Sequence, residues 1–146
     1  MRTVSLVHHY TFEPDRLWQL VVDLDALAEV MKGLATFAGL PEGRIHEGQR
    51  IDVRVSLFGL FPSRPYSMHV VRCDDEAMSF RSQERGSGIR VWQHDLRVVG
   101  TDDGCRLEER VVIDAGPLTW IAFLWARYLY TARHKARLRL LRNGRS

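Results

Sequence analysis

His94 and Glu109 are the two residues whose types and placement point most directly to chemistry. They lie on consecutive alternating segments, Ile89–Val99 and Cys105–Asp114, joined by Thr101-Asp102-Asp103-Gly104, a hairpin turn in composition and length. With the turn centred on Thr101–Asp103, Val98 faces Cys105, Leu96 faces Leu107, His94 faces Glu109 and Trp92 faces Val111. Three of these pairs are apolar and share one face, while Asp95, Arg97, Glu108 and Arg110 take the other; a slip of one residue would bury the charges. His94 and Glu109 thus read as inward cross-strand neighbours within hydrogen-bonding reach. A carboxylate that orients an imidazole makes a general acid–base pair. The same two groups also satisfy one another in an apolar interior or anchor the polar end of a ligand. Anchoring is the preferred reading, and catalysis by His94 and Glu109 the alternative.

Other chemistries find no support. The chain has neither a G-x-S-x-G nucleophile elbow nor a phosphate loop, and it lacks the glycine fingerprint of dinucleotide binding. Neither Cys73 nor Cys105 has an obvious activating neighbour, and two cysteines cannot build a structural zinc site alone. No cofactor is expected. His46, His69 and His134 read as surface residues.

The elements that must position the pair follow from periodicity. Val4–Tyr10 alternates as a strand with Val4, Leu6, His8 and Tyr10 on one face. Glu13-Pro14-Asp15-Arg16 starts a helix, with proline in the first turn, and the apolar spacing from Leu17 to Met31 breaks near Asp23–Asp25 into two short helices. Strands are expected at Leu34–Leu40, Ile51–Leu57, Tyr66–Cys73, Met78–Glu84, Ile89–Val99 and Cys105–Asp114, and a helix from Leu118 to about Leu141. That helix, about 36 Å long, suits a seven-stranded antiparallel sheet that curls around it and leaves a space between. The fold class is α+β, one domain over residues 1–146.

Composition agrees. A chain of 146 residues, 45% hydrophobic and 27% charged, can bury a core and is too short for two ordinary domains. Its longest nearly uncharged apolar stretch, Gly116 to Ala126, is too short to span a bilayer, and no signal-peptide pattern opens the chain. A cytoplasmic location with reduced thiols is the expectation. The net charge of +3 arises in the last segment, where Arg127, Arg133, Lys135, Arg137, Arg139, Arg142 and Arg145 meet no acidic residue. Aromatics and arginines occupy different halves of the closing helix, which argues against nucleic acid. Trp120, Phe123 and Leu124 make its first half apolar almost all round. A buried start under the sheet rim with a solvated arginine face is preferred over a homodimer contact or a transient membrane-surface contact. Leu57–Pro65 exposes more apolar surface than a loop normally does, as a lid or as a segment folded back on the core.

Together with particular residues, this order resembles the SRPBCC superfamily, which includes START, Bet v 1-like, polyketide cyclase/dehydrase and lipid-transport-like proteins. The residues are Phe12-Glu-Pro14-Asp-Arg-Leu-Trp18 at the first helix, Gly48 before the strand to Leu57, and Val91-Trp92-Gln-His94-Asp-Leu96. Tyr128, Arg133-His134 and Leu138-Arg-Leu140-Leu141 in the last helix complete the set. One departure stands out: Asp25-Ala-Leu-Ala-Glu continues where the family often has Pro and Trp. The resemblance implies a helix-grip (Bet v 1-like) fold with a ligand cavity, and a first strand beside the last, which would bring His8 close to Glu109 and Val111.

The expected lining joins His8 and Tyr10, Val53 and Val55, Met68 and Val70, Phe80 and Ser82, Trp92 and His94, Glu109 and Val111. From the helix it adds Ile121, Trp125, Tyr128, Leu129 and Ala132. The Gly86-Ser87-Gly88 turn sets Phe80 beside His94 and Ser82 beside Trp92, and the turn at Asp75 sets Val70 opposite Phe80 and Met68 opposite Ser82. His8, His94 and Glu109 also match the two-His-one-carboxylate ligand type, but no short ligand motif supports it and no metal is assigned. The expected partner is a small hydrophobic molecule: a lipid, isoprenoid or polyketide-like compound. The alternative is a cyclase or dehydratase working in the same cavity.

Overall fold

The computed structural model describes residues 1–58, 60–86 and 88–143. In chain order these form β1 (Arg2–Tyr10), α1 (Pro14–Val21), α2 (Leu24–Val30), β2 (Ala35–Ala38), β3 (Arg50–Leu57), β4 (Arg64–Asp74), β5 (Ser79–Gly86), β6 (Val91–Thr101) and β7 (Gly104–Asp114). A single 3-10 turn at Gly116–Leu118 leads into α3 (Thr119–Arg142). The seven strands make one antiparallel sheet in the order β1-β7-β6-β5-β4-β3-β2. The meander accounts for every neighbour pair except β1–β7, which closes the order by bringing the first strand to the last.

Local chemistry sets the helix boundaries. Pro14 occupies the first position of α1, where a missing N–H leaves nothing unsatisfied. Asp23 caps α2, its carboxylate accepting from the Asp25 N–H at 2.9 Å. Leu17, Trp18 and Leu20 bury one face of α1, and the Trp18 indole donates to Asp75 at 2.9 Å, fixing the helix to the β4–β5 turn. At the far end of the chain, Arg16 donates to the Leu141 carbonyl at 2.9 Å, so α1 satisfies one of the orphan carbonyls of α3.

Three hairpin registers differ from the sequence expectation by two residues. In β6–β7 the turn is only Asp102-Asp103, because Thr101 already pairs with Gly104. Leu96 therefore opposes Glu109, His94 opposes Val111, Trp92 opposes Ile113 and Val98 opposes Leu107. Likewise Phe80 pairs with Leu96 and Ser82 with His94, through a turn whose residue Ser87 lies outside the described residues. In β4–β5 Val70 opposes Ser82 and Met68 opposes Glu84, with an irregularity between Val70 and Arg72. A shift of two preserves the face of every side chain, so parity is unaffected and only the direct neighbour changes. On β1, His8 opposes Leu107, Leu6 opposes Glu109 and Val4 opposes Val111. The backbone of β1's end lies so close to Gly104 that a Cβ there would meet the Tyr10 carbonyl oxygen at 2.2 Å.

The concave face of the sheet packs α1 and α2 at one end and α3 along its length. Three buried clusters result: one around Leu17, Trp18, Leu96 and Leu107, one around Val4, Trp92, Val111 and Tyr130, and one around Val30, Met31, Leu129 and Ala136. Among the described residues no helix is long and apolar enough to cross a membrane.

Candidate functional site

A chain of polar groups crosses the interior from β6 to α3. Glu109 is 3% exposed; its Oε2 lies 2.8 Å from His94 Nε2, and its Oε1 accepts from Arg137 Nη1 at 3.3 Å. Burial alone would push the Glu109 carboxyl up, but the Arg137 charge and the His94 hydrogen bond outweigh it and hold the group at about 2. Burial also works against the Arg137 charge, yet Glu109 and Tyr10 raise its pKa. Tyr10, pushed up to about 12 by burial, shares a 2.7 Å hydrogen bond with His134 Nδ1. His134 in turn stacks on His8 with ring centroids 4.2 Å apart. Burial lowers both imidazoles, His134 to about 4, which keeps this pair neutral at pH 7. The Nδ1 of His8 is the one buried side-chain polar atom without a partner among the described residues.

Two adjoining hollows lie between sheet and helices. The larger, about 360 Å³, is walled by apolar and aromatic side chains including Phe37, Val55, Trp92, Trp125, Leu129 and Tyr130. The smaller, about 80 Å³, reaches toward α1 and α2 past Val70, Phe80, Ser82 and His94. Leu27, Met68, Glu84 and Arg133 border both, and mark their junction. Glu84 accepts from the Ser82 hydroxyl at 2.9 Å and from the Tyr66 hydroxyl. Trp92 Nε1 donates to the Tyr130 hydroxyl at 3.3 Å, so the polar tips of both aromatics are engaged while their rings face the hollow. Phe61 and Pro62 border the larger hollow, and Phe58 meets Trp125 edge-on at 5.5 Å, placing the β3–β4 loop at the mouth.

The expected lining is divided by the structure. Val55, Met68, Val70, Phe80, Ser82, Trp92, His94, Trp125 and Leu129 border one hollow or the other. Tyr10, Val53, Glu109 and Val111 are buried in the packed interior, Glu109 behind His94. His8 is half-buried on β1 against His134, and Ala132 is half-buried beside the third cluster. Among the described residues no group of three His, Cys, Asp or Glu side chains is gathered as a metal would require.

Ile121 and Tyr128 do not face the interior: they are 47% and 53% exposed on the outer side of α3. The start of the helix is not buried under the sheet rim either, since Trp120 and Leu124 are 57% and 55% exposed. The reason is helix phase. The inward stripe runs through Ala122, Ala126, Leu129, Arg133, Ala136 and Arg137, about one residue round from the expected one, with Trp125 between the two. An apolar stripe alone could not fix the phase, because the first half of α3 is apolar on every side. The alanines carried the better signal, since they sit where the helix approaches the sheet. His134 is likewise not a surface residue, and Arg133 and Arg137 are not part of a solvated face; Arg145 lies outside the described residues.

No family model and no curated protein matches the sequence. Solved structures do match in shape. Protein MLL2253 from Mesorhizobium loti superposes with a TM-score of 0.77 at 13% identity, covering 97% of this chain and 98% of that one. Norcoclaurine synthase from Thalictrum flavum, solved in complex with dopamine and hydroxybenzaldehyde, gives 0.72 at 16% identity over 99% and 88%. Ara h 8.0201 gives 0.73 at 14% identity over 92% and 93%. Identities this low carry the fold and leave the chemistry to this chain's own residues. The sheet order, the paired short helices and the long closing helix are those of the Bet v 1-like helix-grip fold, the architecture that the resemblance to the SRPBCC superfamily implies.

Proposed function

We propose that the protein binds a small hydrophobic molecule, of lipid, isoprenoid or polyketide-like character, between its sheet and α3. The observation that carries this reading is the 360 Å³ hollow with its apolar and aromatic wall and its few convergent polar groups. Transfer of apolar ligand surface out of water supplies the affinity, at about 25 cal/mol per Å² before the costs of association. The polar groups at the junction of the hollows orient the guest.

The test is binding of a neutral fluorescent probe, N-phenyl-1-naphthylamine, to the purified protein. Ala122 borders the larger hollow, so the indole of Ala122→Trp occupies part of it and obstructs a guest. The expected result is saturable probe binding by the wild type, lost in Ala122→Trp while the circular dichroism of the fold is retained. Equal probe binding by both proteins would overturn the reading.

A second reading rests on His94, which borders the smaller hollow with Glu109 held against its Nε2. There the imidazole would serve as acid–base in a cyclase or dehydratase. His94→Ala separates the two: a carrier keeps most of its apolar affinity, whereas an enzyme loses turnover by about 10²-fold or more.

A further inference from the structure

The two interior arginines of α3 are in different circumstances. Arg137 is paired with the buried Glu109 carboxylate. Arg133, one turn earlier, borders both hollows and has no ion pair among the described residues. Its Nε donates to the Met31 sulfur at 3.1 Å, a weak acceptor, and its guanidinium lies 4.9 Å from the Tyr130 ring centroid. No protein oxygen accepts from either Nη among the described residues. Glu84, the carboxylate that borders both hollows with it, is engaged by Tyr66 and Ser82 and makes no ion pair with Arg133. The Met31 and Tyr130 contacts hold the guanidinium on the wall that both hollows share.

A planar cation with free paired donors at the edge of an apolar hollow fits one ligand chemistry best. Its fork matches the two oxygens of a carboxylate, and a carboxylate there would be shielded from most of the water that weakens such pairs elsewhere. Building on the binding reading above, we infer that the guest is an amphiphilic acid, with its carboxylate on Arg133 and its apolar body in the larger hollow.

A matched pair of probes tests this: decanoate and decanol, each displacing N-phenyl-1-naphthylamine at pH 7.5. Decanoate should compete at least about tenfold more strongly than decanol with the wild type. Arg133→Met should bring the two within about threefold. Arg127→Met, on the exposed side of α3, should keep the full preference. If Arg133→Met fails to fold, Arg133→Lys is read instead, and loss of the bidentate geometry should cut the preference by at least threefold. Wild-type binding of the neutral probe and of decanol with no preference for decanoate would overturn the acid assignment and leave the binding site standing. So would a preference that survives in Arg133→Met. Failure of the wild type to bind the neutral probe at all would overturn the binding reading itself.

Discussion

His94 and Glu109 are diagonal rather than direct neighbours: Glu109 faces Leu96 across the ladder, yet His94 Nε2 reaches its Oε2 at 2.8 Å. The diagonal leaves the second carboxylate oxygen to Arg137 from α3, so the sheet and the closing helix share one buried anion.

Removing that anion strands a buried guanidinium. Glu109→Gln should therefore destabilise the fold by about 3–5 kcal/mol, read from urea unfolding. The double variant Glu109→Leu, Arg137→Met should lose less than Glu109→Gln alone, since no unpaired charge remains. A single-variant cost under about 1 kcal/mol would mean the pair contributes nothing specific.

Acid should weaken the fold in two stages. His134 is depressed from 6.5 to about 4, so the unfolded chain takes up its proton first and stability falls as pH drops from about 6.5 toward 4. Glu109 is depressed from 4.5 to about 2, and its contribution, complete above about 4.5, is lost between there and about 2. Urea midpoints measured from pH 8 to pH 3 should show both limbs. His134→Gln should shrink the upper one, leaving the share of His8, whose imidazole burial also lowers, and leave the lower.

Gly104 has φ +154°, and an added Cβ would sit 2.2 Å from the Tyr10 carbonyl oxygen and 2.9 Å from Thr11 Cα. Backbone cannot yield as a side-chain tip does. Gly104→Ala should cost more than about 1 kcal/mol in thermal or urea unfolding, against the gain that the same change brings at a permissive site.

Trp92→Phe keeps a ring against the larger hollow but removes the donor to the buried Tyr130 hydroxyl. A loss of about 0.5–1.5 kcal/mol is expected in unfolding experiments, with Trp92→Phe, Tyr130→Phe costing less than the sum of the two single changes.

Strand parity was legible in the residues because charges and apolar groups alternate so regularly in β6 and β7 that only one face could be buried. Turn length was not. Thr101 and Gly104 suit a loop as well as a closing pair, so the registers moved by two without disturbing the faces. The order of elements, with the proline entry to α1 and the break at Asp23, followed from local rules that tertiary packing did not override. Where the reading fell short was α3. Arg133, Arg137 and His134 carry the polar side of the interior, and each looks like surface until its partner on another element is known. Ionisable groups enter a core chiefly through contacts with other elements, which one element's periodicity does not display.

The closing helix is tethered unequally. Near its C-terminal end the Glu109–Arg137 charge pair and the Arg16 bond to Leu141 bolt it to the sheet and α1, while beside the larger hollow Phe58 meets Trp125 only ring to ring. Swinging the bolted end outward would strand a buried carboxylate, whereas parting two rings forfeits little. On the proposed binding role, the expected way in for a guest is between the β3–β4 loop and the first turns of α3, where Phe61, Pro62 and Trp125 border the larger hollow.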